Sequence, residues 1–292
     1  YICLRKEFFM ISICLKSSNI NLLNSLEQLL DKVSFERIYY SQRKFKIYNN
    51  LIIHYLGNDV NEFYNVFSDL ISSFTINHFE KKFIQQQLNF DFFYFSADEK
   101  KSIKSSAFNN LNQPINIQQK KNIIKNCTLE FFAQNSQCIL DGFINFRLYN
   151  YKNFINLILE KTINDYVIKK EYIEYVDLLY EYIHIQPSQT PTLHLIYSEH
   201  IKLLLDDSKN IITDTSSSKI YLSDISFSSN DFILNSLLSL LPQKLYIHLK
   251  NNQSDNFITF LKSIFNDRAI LCNNCAICSQ YFSKADPIKN HK

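Results

Sequence analysis

Lys244-Leu245-Tyr246-Ile247-His248-Leu249, a stretch from Asp255 to Phe265, and Arg268-Ala269-Ile270-Leu271 decide how the C-terminal part of this chain folds. The first segment alternates apolar and polar residues, as a half-buried strand does. The second carries apolar residues at helical spacing behind Asp255, a residue type suited to an N-cap. The third is a short apolar run. Strand, helix and strand in that order predict a β-α-β unit with parallel strands and a right-handed crossover.

Cys272-Asn273-Asn274-Cys275-Ala276-Ile277-Cys278 follows directly. Thiolates at this C-x2-C-x2-C spacing can converge on one soft metal ion. The run begins where a parallel strand ends, the edge at which ligand sites gather in α/β sheets. Asn273 and Asn274 suit the loop, because Asn tolerates the left-handed backbone of a tight metal-binding turn. Three thiolates do not close a tetrahedral shell. His248 lies near the end of the adjacent strand and points away from Leu245, Ile247 and Leu249, so it is the expected fourth ligand; His291 is a second candidate. Cys272, Cys275, Cys278 and His248 thus form the expected metal set, with zinc the expected ion and iron–sulfur the alternative. Redox-sensing or simply reduced thiols without a metal weigh equally with a bound ion.

Working outward, Pro187 and Pro191 bracket a polar connector that predicts a boundary between residues 10–186 and a C-terminal α/β module over 192–280. Within that module, Leu193 to Tyr197 and Ile201 to Leu205 read as a hairpin, 215–218 as a turn and 220–222 as a short strand. Asn230 or Asp231 should cap a helix ending at Pro242. Ahead of the connector, a strand over 10–16 and a helix capped by Asn19 or Asn21 are predicted. Two antiparallel strands joined near Asn49-Asn50 follow. Asp59 opens a long helix. The polar stretch 98–111, interrupted at Gln113-Pro114, predicts a loop or hinge, and 116–134 a second helix. Residues 135–140 read as a connection and Asp141 as the N-cap of a helix running to about Ile183. The fold class is therefore α+β: an N-terminal β-α-β-β unit, a long helical middle and a small C-terminal α/β module.

Composition excludes some functions. Gly57 and Gly142 are the two glycines of 292 residues, too few for a G-x-G-x-x-G turn or a phosphate-cradling P-loop. A net charge of +3 is a weak footprint for nucleic acid, and the clusters Arg43-Lys44-Lys46, Lys100-Lys101-Lys104 and Lys120-Lys121-Lys125 read as solvated faces. Seven cysteines, unevenly spread, favour free or metal-bound thiols in a reducing compartment; Cys3, Cys14, Cys127 and Cys138 read as isolated small hydrophobes. No run approaches the ~20 apolar residues of a membrane span, and Phe8 to Leu15 reads as a strand, not a signal segment. A cytoplasmic protein is expected. Met10 is the single methionine, and translation is expected to start there, with 1–9 as upstream sequence.

Two passages carry a family resemblance. Asp141-Gly142-Phe143-Ile144-Asn145-Phe146-Arg147-Leu148, followed by Tyr151 and a helix, resembles the central signature of the YtxC-like family of bacterial sporulation proteins. Asn266-Asp267-Arg268-Ala269-Ile270-Leu271-Cys272 with its cysteine run resembles that family's C-terminus, and the likeness covers roughly residues 10–280. It implies an endospore-forming bacterium and a cytoplasmic sporulation protein, and it implies no reaction. Arg147, inside the signature, is expected to be partly buried and paired with Asp141 or a helix-end carbonyl. The expected function is a non-enzymatic accessory or regulatory protein with a protein partner. The alternatives are an enzyme with a thiol or metal site near Cys272 and His248, or a weak nucleic-acid binder.

Overall fold

The computed structural model describes residues 9–33, 37–212, 229–250 and 254–282. The chain divides into two compact units, 1–167 and 168–292. Cys3, His291 and the segments 215–218 and 220–222 lie outside the described residues.

In the first unit, β1 (Phe9–Ser17) buries Ile13 and Leu15 on one face of its alternation. α1 (Ile20–Leu30) begins where the Asn19 side chain accepts the Asn21 amide at 3.0 Å, and it turns Leu23, Leu26 and Leu30 into the core. β2 (Ile38–Lys44) and β3 (Asn49–Gly57) form the expected hairpin, and β3 pairs antiparallel with β1. The turn lies earlier than Asn49-Asn50. Phe45 donates its amide to the Tyr48 carbonyl at 3.2 Å, and the two asparagines are already strand residues opposite Ser17 and Lys16.

α2 (Val60–Phe90) starts at Asp59, whose carboxylate accepts the Glu62 amide at 2.9 Å. Residues 98–111 are not a loop: α3 (Ala97–Leu111) is a helix. Ser96 and Glu99 form a reciprocal capping box, which satisfies two amides at the helix start, and Ile103, Ala107 and Leu111 make a buried stripe at four-residue spacing. The interruption expected at Gln113-Pro114 is present, between α3 and the next helix. Pro114 occupies the first turn of α4 (Pro114–Phe132), where its missing N–H has no helical acceptor to lose.

The expected connection at 135–140 contains β4 (Gln137–Ile139), parallel to β1 and at the edge of a sheet ordered β2-β3-β1-β4. A single turn, α5 (Leu140–Gly142), runs into a π-helical turn, Phe143–Arg147, and then α6 (Tyr149–Ile185). Asp141 is not an N-cap. It lies within the turn and accepts the Ser17 hydroxyl at 2.8 Å. Arg147 is exposed and lies 5.9 Å above the Phe131 ring, not against Asp141. A π-turn takes more residues per turn, so it shifts later side chains out of the phase that an α-helix predicts.

The centre of this unit holds a charge pair. Lys120, read from sequence as part of a solvated basic cluster, is 1 % exposed and reaches both oxygens of Glu80 at 2.8 and 2.9 Å. The Tyr151 hydroxyl donates to the same carboxylate at 3.1 Å, and burial, with the Glu80 charge, pushes that phenol far above its usual range.

In the second unit, β5 (Thr190–Tyr197) and β6 (Lys202–Leu205) form the expected hairpin. α7 (Ser229–Leu240) already contains Asn230 and Asp231 in its first turn, so neither is the cap; the residue before it lies outside the described residues. β7 (Pro242–Leu249), α8 (Asn256–Phe265) and β8 (Ala269–Leu271) are the expected β-α-β unit, with β7 and β8 parallel. The sheet order is β6-β5-β7-β8. Leu193, Leu195, Leu245 and Ile247 pack with α7, α8 and the end of α6, where Leu179 and Ile183 enter this core. Ile196 and Leu205, from β5 and β6, pack with Ile277 of α9 (Ala276–Phe282).

Removing the Lys120 ammonium alone strands a buried carboxylate. Lys120→Met should destabilise the protein by about 3–5 kcal/mol, and adding Glu80→Leu should restore much of that loss. Urea unfolding of both variants checks this; equal losses would mean that packing, not the unpaired charge, sets the cost.

Candidate metal centre

The site is assembled by strand register. β7 alternates, so Leu245, Ile247 and Leu249 face one core while Tyr246 and His248 face the other side. His248 is 2 % exposed. β8 pairs with β7 through Tyr246–Ile270 and Ile247–Leu271, and the Cys272 amide extends that ladder by donating to the Ile247 carbonyl at 2.9 Å. Cys272 is thereby set beside His248.

The chain then turns back over the strand end. Asn274 adopts φ 52°, the left-handed conformation expected of this loop, and α9 starts at Ala276. One helical turn separates Cys275 from Cys278, which puts both thiols on the side facing the strand. His248 Nδ1 lies 3.3 Å from Cys278 Sγ and 3.5 Å from Cys275 Sγ. Cys278 Sγ lies 3.8 Å from Cys272 Sγ and 4.0 Å from Cys275 Sγ. The four ligand atoms all lie within 4.8 Å of one another, and this group could hold a metal ion.

His194 is a partner that the sequence did not disclose. It stands on β5, and its Nδ1 is 3.1 Å from His248 Nε2, while its ring stacks on Tyr246. When His248 carries its proton on Nε2 and donates it to His194, its Nδ1 lone pair faces the three thiols. A ligating histidine held through its other nitrogen is the usual support of a metal site.

Electrostatics differ around the cluster. Burial, then the hydrogen bonds with Cys275 and Cys278, pushes the Cys272 thiol up to about 12. Burial also raises Cys275, but the backbone amides of Cys278 and Ile277 and the adjoining thiols outweigh it and hold Cys275 below the usual thiol range. Of the remaining cysteines, Cys138 is buried and burial pushes it up to about 12, as expected of a packed thiol. Cys127 donates to the Arg147 carbonyl at 3.2 Å.

The YtxC-like family model matches residues 65–270. No curated protein and no solved structure matches the chain. Among the described residues, no helix is long and apolar enough to cross a membrane.

Burial, then the nearby His194, lowers the His248 pKa from 6.5 to about 4. Without metal, the folded chain therefore binds fewer protons than the unfolded chain between those values. The neutral imidazole contributes stability above the unfolded pKa that is lost as pH falls towards the folded one. Urea unfolding of chelator-treated protein at about pH 7 and about pH 5 should show this loss, and His248→Gln should reduce the slope. An unchanged slope in the variant would place the titration elsewhere.

Proposed function

The chain belongs to the YtxC-like family, and we propose that it is a sporulation-associated, non-enzymatic accessory protein whose C-terminal module is pinned by one zinc ion. The observation that carries this reading is the spacing of the four donor atoms. Around a zinc with bonds of about 2.3 Å to sulfur and about 2.0 Å to nitrogen, tetrahedral edges come to about 3.8 Å between sulfurs and about 3.5 Å between nitrogen and sulfur. Four of the six separations, 3.8 and 4.0 Å between sulfurs and 3.3 and 3.5 Å between nitrogen and sulfur, match those edges, and all six lie within 4.8 Å. Three thiolates and one imidazole are a common structural zinc set, whereas iron–sulfur clusters are most often held by four thiolates.

Four protein donors leave a tetrahedral ion no open position for water or substrate, which is the arrangement of a structural site. The ion also has structural work here. β8 is three residues long and α9 seven, and helices this short are not stable by themselves in water. One ion tethers the end of β8, the loop and α9 to β7.

An accessory role calls for a protein partner. Nucleic acid fits less well, because Lys120 and Lys125, of one of the three basic clusters, are committed to Glu80 and Asp69.

Protein purified anaerobically without affinity metal should contain about one zinc per chain, and Cys272→Ser/Cys275→Ser should lose it together with several degrees of thermal midpoint. Metal-free wild type that is as stable as the zinc-loaded protein would overturn the proposal.

A further inference from the structure

The π-helical turn Phe143–Arg147 borders a cleft with a volume of about 160 Å³. This is the volume class that accommodates a benzene-sized molecule. Its walls come from α2, through Phe79, Lys82 and Phe83, and from the π-turn and the first turn of α6. π-turns interrupt regular hydrogen bonding and recur at functional sites. This one occupies the Asp141–Leu148 signature, which the metal centre does not use.

Lys152 is the residue that gives the cleft a chemistry. Its ammonium lies over the Phe83 ring, with Nζ 5.6 Å from the ring centre. Its ammonium donates to the Asn145 carbonyl of the π-turn at 2.7 Å. That acceptor is neutral, and among the described residues no carboxylate is in ion-pair range of Lys152 or Lys82. Burial lowers the Lys152 pKa, as expected for a cation that has lost water without gaining a counter-charge. Asp141 also lines the cleft, but its carboxylate is taken up by the Ser17 hydroxyl.

We propose that this cleft binds a small organic monoanion, a carboxylate carried on a compact apolar frame, with Lys152 and Lys82 meeting the carboxylate and Phe79 and Phe83 the frame. Two lysines against one aspartate leave one net positive charge in the lining, which suits a monoanion over a phosphate dianion. The phenyl faces supply apolar area, so an inorganic anion would leave that part of the cleft unfilled. Tyr151 closes the floor, its hydroxyl directed to Glu80 and away from any ligand.

Calorimetric titration of the full chain with benzoate, benzamide and inorganic phosphate tests the assignment. Benzoate should bind once per chain with a Kd of about 1 mM, the range open to so few atoms. Benzamide, its neutral counterpart, and phosphate should each bind at least about tenfold more weakly. Lys152→Met keeps an unbranched side chain without the ammonium and should weaken benzoate about tenfold, as should Lys82→Met, whereas Lys125→Met, at the Asp69 pair, should leave it unchanged. Comparable thermal midpoints establish that the variants are folded. Absence of saturable benzoate binding, equal binding of benzamide, tighter binding of phosphate, or indifference to both cleft lysines would overturn the proposal.

Discussion

The backbone hydrogen bond from Cys272 to the Ile247 carbonyl ties the cysteine run to the strand that carries His248. Everything at the candidate metal centre follows from that link. β8 contributes only three residues, so its register on β7 decides where the chain leaves the sheet. Had the pairing slipped by one residue, the Cys272 side chain would face the opposite side of the sheet from His248. Asn274 then supplies the left-handed turn, and one helical turn of α9 supplies the last two thiols. His194 completes the arrangement from β5 by engaging the remaining nitrogen of His248.

The first unit depends on a different constraint. Three polar groups from three helices, Glu80, Lys120 and Tyr151, meet in the buried interior of this unit. Taking a carboxylate and an ammonium out of water costs several kcal/mol each, so the pair is tolerated because its hydrogen bonds are made and well aligned. Apolar packing alone accepts many sliding registers of one helix on another, whereas a bidentate contact accepts few. The pair and the Tyr151 bond therefore fix α2, α4 and the start of α6 to each other, and the π-turn ends one helical turn before Tyr151.

Much of this was legible in the sequence. Alternation in 244–249, the helical spacing of 255–265 and the C-x2-C-x2-C run gave the β-α-β unit, and His248 followed from the same alternation. The errors have identifiable causes. α3 was missed because its apolar residues are few and its stability begins with a capping box, Ser96 to Glu99, which apolar periodicity ignores. β4 was missed because three residues carry no period, and its pairing with β1 spans more than a hundred residues. Lys120 looked solvated because a lysine in a basic cluster usually is; only the long-range approach of Glu80 makes its burial possible. Arg147 is exposed because it ends a π-helical turn, which no local sequence pattern announces and which shifts side chains out of α-helical phase. His194 had no local signal at all, since parallel pairing, not spacing, brings it to His248.

The proposed zinc ion is surrounded by three sulfurs and one imidazole nitrogen. X-ray absorption at the zinc edge of the purified full chain reads that shell directly. Three sulfur neighbours at about 2.3 Å and one nitrogen at about 2.0 Å are expected, with the nitrogen contribution lost in His248→Ala. A shell dominated by oxygen or nitrogen, or a short metal–metal distance, would contradict this arrangement.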